Sequence, residues 1–182
     1  MVMQRAVDIL LATAFLLMIV NGNGRAEDAP KIIITSPAFA PSEEIPVRYT
    51  CDGADDSPPL TWSGIPRGAV ALALVVDDPD APSGTFTHWV VYNISAGSSG
   101  FQTNELKDLK TGLDYPQAVN DFGKLGYNGP CPPPGAPHHY HFKLYALKAA
   151  LALPTNSRAA QVEEAINPQT LGMGEMIAIF GR

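Results

Sequence analysis

Cysteine is nearly absent from this chain, which holds two, Cys51 and Cys131, among 182 residues. Two thiols are too few for the usual cysteine-rich metal centres, and in an oxidising compartment they read as one bridge. Closing a loop of that length stabilises a fold by about 4 kcal/mol in the chain-entropy view. Charge is scarce too, at 16% of residues, and basic charge scarcer, with 12 Lys+Arg against 18 Asp+Glu. With no Lys/Arg run to override that balance, nucleic acid is excluded as a partner. Only one long apolar run exists, Ile9 to Val20, and it is shorter than the roughly 20 residues a helix needs to cross a bilayer. There is no Gly-x-Ser-x-Gly elbow, so the commonest serine-hydrolase signature is missing. Internal repeats and low-complexity linkers are missing as well.

What is present at the amino terminus is a secretory signal: a charged start through Arg5, the apolar run, and Gly24-Arg25-Ala26 as a small-residue cleavage point. Cleavage after Ala26 leaves residues 27–182, a single domain by length. Lys+Arg then falls from 12 to 10 and Asp+Glu from 18 to 17, a net charge of −7. The expected product is a periplasmic or secreted protein with no membrane-spanning segment after processing.

Strand-type segments dominate the rest: Lys31 to Thr35, Ile45 to Thr50, Leu60 to Trp62, Ala71 to Val76, His88 to Ile94 and His138 to Leu147 are rich in β-branched and aromatic residues and bounded by Pro, Gly or Asp. Ala71 to Val76 lacks polar alternation, which predicts a central strand covered on both faces. One helix is expected over Arg158 to Ile166, capped by Ser157 and stopped by Asn167-Pro168. Glu175 to Phe180 fits a strand or a short helix. The sum is a mainly β, sandwich-like domain with one or two peripheral helices.

Two proline-punctuated loops carry the polar chemistry. Tyr127 to Phe142 joins five prolines, which cannot build a helix or an inner strand, to a histidine-rich strand. Alternation there puts His138 and Tyr140 on one face and His139 and His141 on the other. The second loop, Asp77-Asp78-Pro79-Asp80-Ala81-Pro82, crowds three carboxylates at the end of the central strand and leads on to His88-Trp89. Such carboxylates are relieved by solvent, a cation or protonated histidines. The plain alternative is an acidic turn.

Asp78-Pro79-Asp80-Ala81-Pro82 with His88-Trp89, and Gly129-Pro130-Cys131-Pro132-Pro133-Pro134-Gly135 with His138-His139-Tyr140, resemble the two signature regions of the phosphatidylethanolamine-binding protein family. Tyr49 to Gly53, Ser57 to Trp62, Asn120 to Lys124 and Tyr145-Ala146-Leu147 extend the resemblance over nearly all of residues 27–182, nearest its bacterial Raf-kinase-inhibitor-like branch. The resemblance implies a sandwich of a large and a small sheet, and a small pocket for phosphate or a phosphorylated head group. It implies that Asp78, His88, Pro132, His138 and Tyr140 line that pocket, that Asp80 and Pro82 shape one loop, and that Gly129 and Gly135 permit the course of the other. Where the family often has arginine, this chain has His139.

The expected activity is binding, with imidazole N–H groups and the Tyr140 hydroxyl donating to an anion and Asp78 acting through a histidine. The ligand would be a small anion or phospholipid head group. No cofactor is expected, and an unidentified protein partner and a homodimer stay open. An enzyme is the first alternative: an Asp/His pocket can move protons, but Ser83 and Thr85 near His88 have no identifiable partner as nucleophiles. A metal site on His139 and His141, completed by His88 or an aspartate, is the second; its plain rival is a solvated strand face.

Overall fold

The computed structural model describes residues 31–106 and 115–182. The expected signal segment, residues 1–26, lies outside them. Among the described residues, no helix is long and apolar enough to cross a membrane.

The strands are β1 (Ile33–Thr35), β2 (Leu60–Ser63), β3 (Ala71–Asp78), β4 (Phe86–Ser95), β5 (Gly100–Phe101), β6 (His138–Leu147) and β7 (Thr170–Phe180), with one helix, α1 (Ala159–Ile166). They build two antiparallel sheets, β1-β2-β5 and β4-β3-β6-β7. The protein is therefore mainly β, a small sheet and a large one with a single helix.

β3 is buried at every position, as its unbroken apolar run predicts, because it lies between β4 and β6 and has both faces covered. One face, with Leu72, Leu74 and Val76, joins Trp89, Val91, Phe142 and Leu144 of its own sheet to Ile34, Leu60, Trp62 and Phe101 of the small sheet. The other, with Ala73 and Val75, packs with Val90, Tyr92 and Leu147 against Ala159, Val162 and Ile166 of α1. Two cores thus share one strand.

Two sequence expectations differ from the structure, and one open alternative is decided by it. Ile45 to Thr50 is not a strand: Val47–Tyr49 is one turn of 3-10 helix, because Pro46 fixes φ at −57° and both the amide and the hydroxyl of Thr50 close onto the Val47 carbonyl. Ser157 does not cap α1; its hydroxyl turns back to the Pro154 carbonyl, and Arg158 holds the cap position with its amide donating to Gln161 Oε1. The ambiguous tail is a strand, extended at its start to Thr170, since each residue from Gly172 to Phe180 finds a partner on β6.

Cys51 and Cys131 are bridged across a sequence separation of 80. Replacing both by serine is expected to cost about 2–4 kcal/mol of unfolding free energy in urea titrations. A loss under about 0.5 kcal/mol would show that other contacts alone hold these loops.

Candidate functional site

Antiparallel pairing brings the end of β3 beside the starts of β4 and β6, with Asp77 opposite Thr87 on one side and His141 on the other. The two motif loops therefore open at one edge of the large sheet. Asp77 and Asp78 project to opposite faces because they are adjacent in a strand.

Asp78 faces the side shared with β6, where its Oδ2 accepts from His138 Nδ1 at 2.8 Å, both side chains buried. Its Oδ1 accepts the Asp80 amide at 2.9 Å, which folds the chain back on itself after the strand. Tyr140, two residues beyond His138, is fully buried. Its hydroxyl lies beside Asp78 yet makes no hydrogen bond of ordinary geometry. Burial, helped by the Asp78 carboxylate, holds its pKa well above the usual phenol range.

His88 reaches the same place through a bulge. Val76 pairs with Trp89 and Asp77 with Thr87, so His88 is an extra residue in β4. Strict alternation from Trp89 would have turned it towards α1 with Val90. The bulge instead sets its ring 5.3 Å from Tyr140, edge to face, and equally far from Phe86 and Phe122. Its Nδ1 meets the Asn128 carbonyl at 2.8 Å. Burial lowers the His88 pKa, opposed by the Asn128 carbonyl and the Asp78 charge.

The surrounding loop is gathered by Asn120, a buried side chain whose Nδ2 lies within 3.1 Å of the backbone carbonyls of His88 and Gly126 and of the Asn128 side-chain Oδ1. Its Oδ1 accepts the amides of Phe122 and Lys124, tying the 120–128 loop into one turn. Asp55 holds the next segment, accepting from Asn128 Nδ2 at 3.2 Å and the Gly129 amide at 2.6 Å. At Gly129 a Cβ would sit 2.3 Å from the Tyr49 carbonyl oxygen, so only glycine fits there.

Pro132 is buried beside the exposed disulfide, and Arg182 reaches its carbonyl while pairing with Asp52 at 3.2 Å. Gly135 donates its amide to the Arg182 carbonyl, so the proline loop is held at both ends. Pro82 is exposed in the other loop.

His139 and His141 take different partners. Asp80 Oδ2 accepts both the amide and Nδ1 of exposed His139, at 2.9 and 2.7 Å, which lowers the Asp80 pKa. His141 Nδ1 meets Glu175 at 2.8 Å on β7. Among the described residues no group of three or more His, Cys, Asp or Glu has metal-holding geometry. Asp77, on the α1 side of the sheet, pairs with Lys143 at 2.6 Å.

Asp78, His88, His138 and Tyr140 thus converge, with Pro132 in the adjoining loop. Phe86, Phe122, Asn120 and Asn128 were missed as site residues. Asn120-Asp121-Phe122-Gly123 carries turn chemistry that flags a loop, but nothing local reveals that Asn120 reaches back to β4.

Residues 35–181 match the family described as "Phosphatidylethanolamine-binding protein". The chain belongs to that family. Among its relatives in this family, the UPF0098 protein of Methanothermobacter thermautotrophicus is 46% identical over 145 residues, covering 80% of this chain and 95% of its own. A Mycobacterium tuberculosis protein named "Putative lipoprotein LppC" is 42% identical over 162 residues, covering 88% and 78%. The crystal structure of Escherichia coli YBCL, described as a member of the mammalian PEBP family, aligns with a TM-score of 0.78 at 33% identity, covering 84% of this chain and 99% of that one. The Chlamydia trachomatis homologue CT736 gives 0.76 at 34% identity, with the same coverage.

Two outcomes are expected of this phosphatidylethanolamine-binding protein family member. Tyr140→Phe removes a buried hydroxyl that makes no well-formed hydrogen bond, so chemical denaturation should show stability unchanged or raised by up to about 1 kcal/mol; a loss of that size would mean its contact with Asp78 is a true bond. For His88, the folded pKa lies below the ordinary 6.5, so the unfolded chain binds its proton first. Its neutral ring is tolerated fully above 6.5 and becomes a liability as pH falls towards the folded value. The stability advantage of wild type over His88→Asn should shrink between pH 7.5 and 5.5, and an advantage that grows would contradict a buried neutral ring.

Proposed function

We propose that this protein is an exported small-ligand-binding protein whose pocket, lined by Asp78, His88, Pro132, His138 and Tyr140, takes an anion, a phosphate or a phosphorylated head group. The observation that carries this reading is the meeting of the Tyr140 hydroxyl, buried beside Asp78 without a well-formed hydrogen bond, with the His88 ring and the Asp78–His138 pair. A buried donor of that kind costs stability unless a ligand accepts from it. The Asp78 carboxylate, which would repel an anion, is engaged by His138 and by the Asp80 amide, so its charge is partly spent inside the protein. Regulation of a protein partner through the occupied pocket belongs to the same proposal.

Two observations support export. The only two cysteines form a bridge, a pairing typical of oxidising compartments, and a relative sharing most of this chain is named as a lipoprotein. The Asp78–His138 pair also supports a second reading, acid–base catalysis, since a carboxylate that orients an imidazole can help it move a proton.

Calorimetric titration of wild type, His138→Ala and Tyr140→Phe with phosphate and phosphoethanolamine tests the pocket. Losing one hydrogen bond to a charged ligand costs about 1.5–3 kcal/mol, so each variant should bind about tenfold to a hundredfold more weakly. Equal affinity in all three would remove the anion from this site. Hydrolysis of a phosphate ester that Asp78→Asn abolishes would replace binding with catalysis.

A further inference from the structure

We propose a second site on the opposite face of the large sheet, where Asp77 of β3, Tyr145 of β6 and Glu163 of α1 border a polar cavity that takes a small monovalent cation: sodium, potassium or ammonium. It stands apart from the anion-pocket reading, because Asp77 and Asp78 are adjacent in one strand and project to opposite faces.

The cavity, of about 120 Å³, lies between β3, β6 and α1, and Asp77, Lys143, Tyr145, Glu163 and Asn167 supply its polar lining. Asp77 is only 3% exposed. Its Oδ2 accepts from Lys143 Nζ at 2.6 Å, while its buried Oδ1 has no hydrogen-bond partner among the described residues. A buried carboxylate oxygen left in that state is costly, and a ligand in the space that Asp77 lines would relieve it. Glu163 Oε1 accepts from the Thr87 hydroxyl at 3.1 Å. Burial raises the Glu163 pKa, the Asp77 and Asp121 charges add to that, and the Thr87 hydrogen bond and Lys143 oppose it.

Charge selects the ligand. Two carboxylates, Asp77 and Glu163, face one ammonium, Lys143, which leaves one negative charge without a counterpart in the cavity. Asp121, which accepts the Thr87 amide, and Glu175 of β7, which is paired with His141, add negative potential from either side. A cation answers both the charge and the orphaned oxygen. The available donors are carboxylate, hydroxyl and amide oxygens, the hard ligands that suit an alkali ion. Lys143 sets the valence, since an ammonium in the same small space repels a divalent ion twice as strongly as a monovalent one. The cavity has the volume of about four waters, so the ion could keep part of its hydration. The rival means of neutralising the cavity is a proton on Glu163.

Thermal unfolding near neutral pH in the chlorides of sodium, potassium and N-methylglucamine, at equal ionic strength so that screening is constant, reads the site. N-methylglucamine is too large for the cavity. Sodium or potassium at about 0.2 M, several times its dissociation constant, should raise Tm by about 2–4 °C over N-methylglucamine. Glu163→Gln keeps the shape of the side chain and can still accept from Thr87, yet should lose that difference. Lys143→Met removes the competing charge and should enlarge it, whereas a merely structural role for either residue would lower Tm equally in all three salts. Sodium NMR gives a readout that does not depend on unfolding: folded wild type should broaden the sodium line, added potassium should narrow it again, and Glu163→Gln should not broaden it. Equal Tm in the three salts with no sodium broadening would overturn the site and leave the proton on Glu163. Broadening that persists in Glu163→Gln would put the ion elsewhere and overturn it too.

Discussion

The antiparallel register of β3 between β4 and β6 is the constraint on which the rest of this molecule depends. Every residue of β3 is buried, so sliding it by one position would exchange its two faces and place Asp78 under α1 and Asp77 beside His138 and Tyr140. Both cores oppose that slip, because each reads a different alternate set of β3 side chains. The Asp78, His88, His138 and Tyr140 cluster is thus positioned by hydrophobic packing that lies well outside it.

On that frame the polar groups are arranged by backbone devices more than by side-chain pairs. A bulge turns His88, the Asn128 carbonyl meets its ring, an asparagine hub gathers the loop that carries it, and a glycine lets the proline loop approach Tyr49 closely. The Cys51–Cys131 bridge, together with Asp55 and Arg182, then fastens that loop to the turn after the 3-10 helix. A loop of five prolines has little of its own hydrogen bonding to offer, so it must be anchored by others.

Much of the fold was legible because its strands are strongly patterned. His138 to Leu147 alternates without error, and the strand it predicts has the same bounds in the structure. Ala71 to Val76 was legible as central because nothing polar interrupts it. Ile45 to Thr50 misled because β-branched and aromatic residues suggest a strand while Pro46 and the Thr50 hydroxyl favour a turn. Ser157 misled for a similar reason: its hydroxyl had a nearer carbonyl to bond. Of the site, the faces of His138 and Tyr140 followed from alternation, and Asp78, His88 and Pro132 from resemblance to the family.

The sequence by itself determined the strongly patterned strands such as β3 and β6, the burial of β3, the separation of His138 from His139, and the family, since each is written in local periodicity or contiguous motifs. Only the tertiary structure decided which way His88 points, because a bulge depends on how two strands pair and leaves no mark in one of them. It also decided that the Asn128 carbonyl meets His88 Nδ1 and that the Tyr140 hydroxyl lies beside Asp78 without a well-formed hydrogen bond. Those facts arise from groups far apart in the chain meeting at one place, and no local rule reaches across that distance.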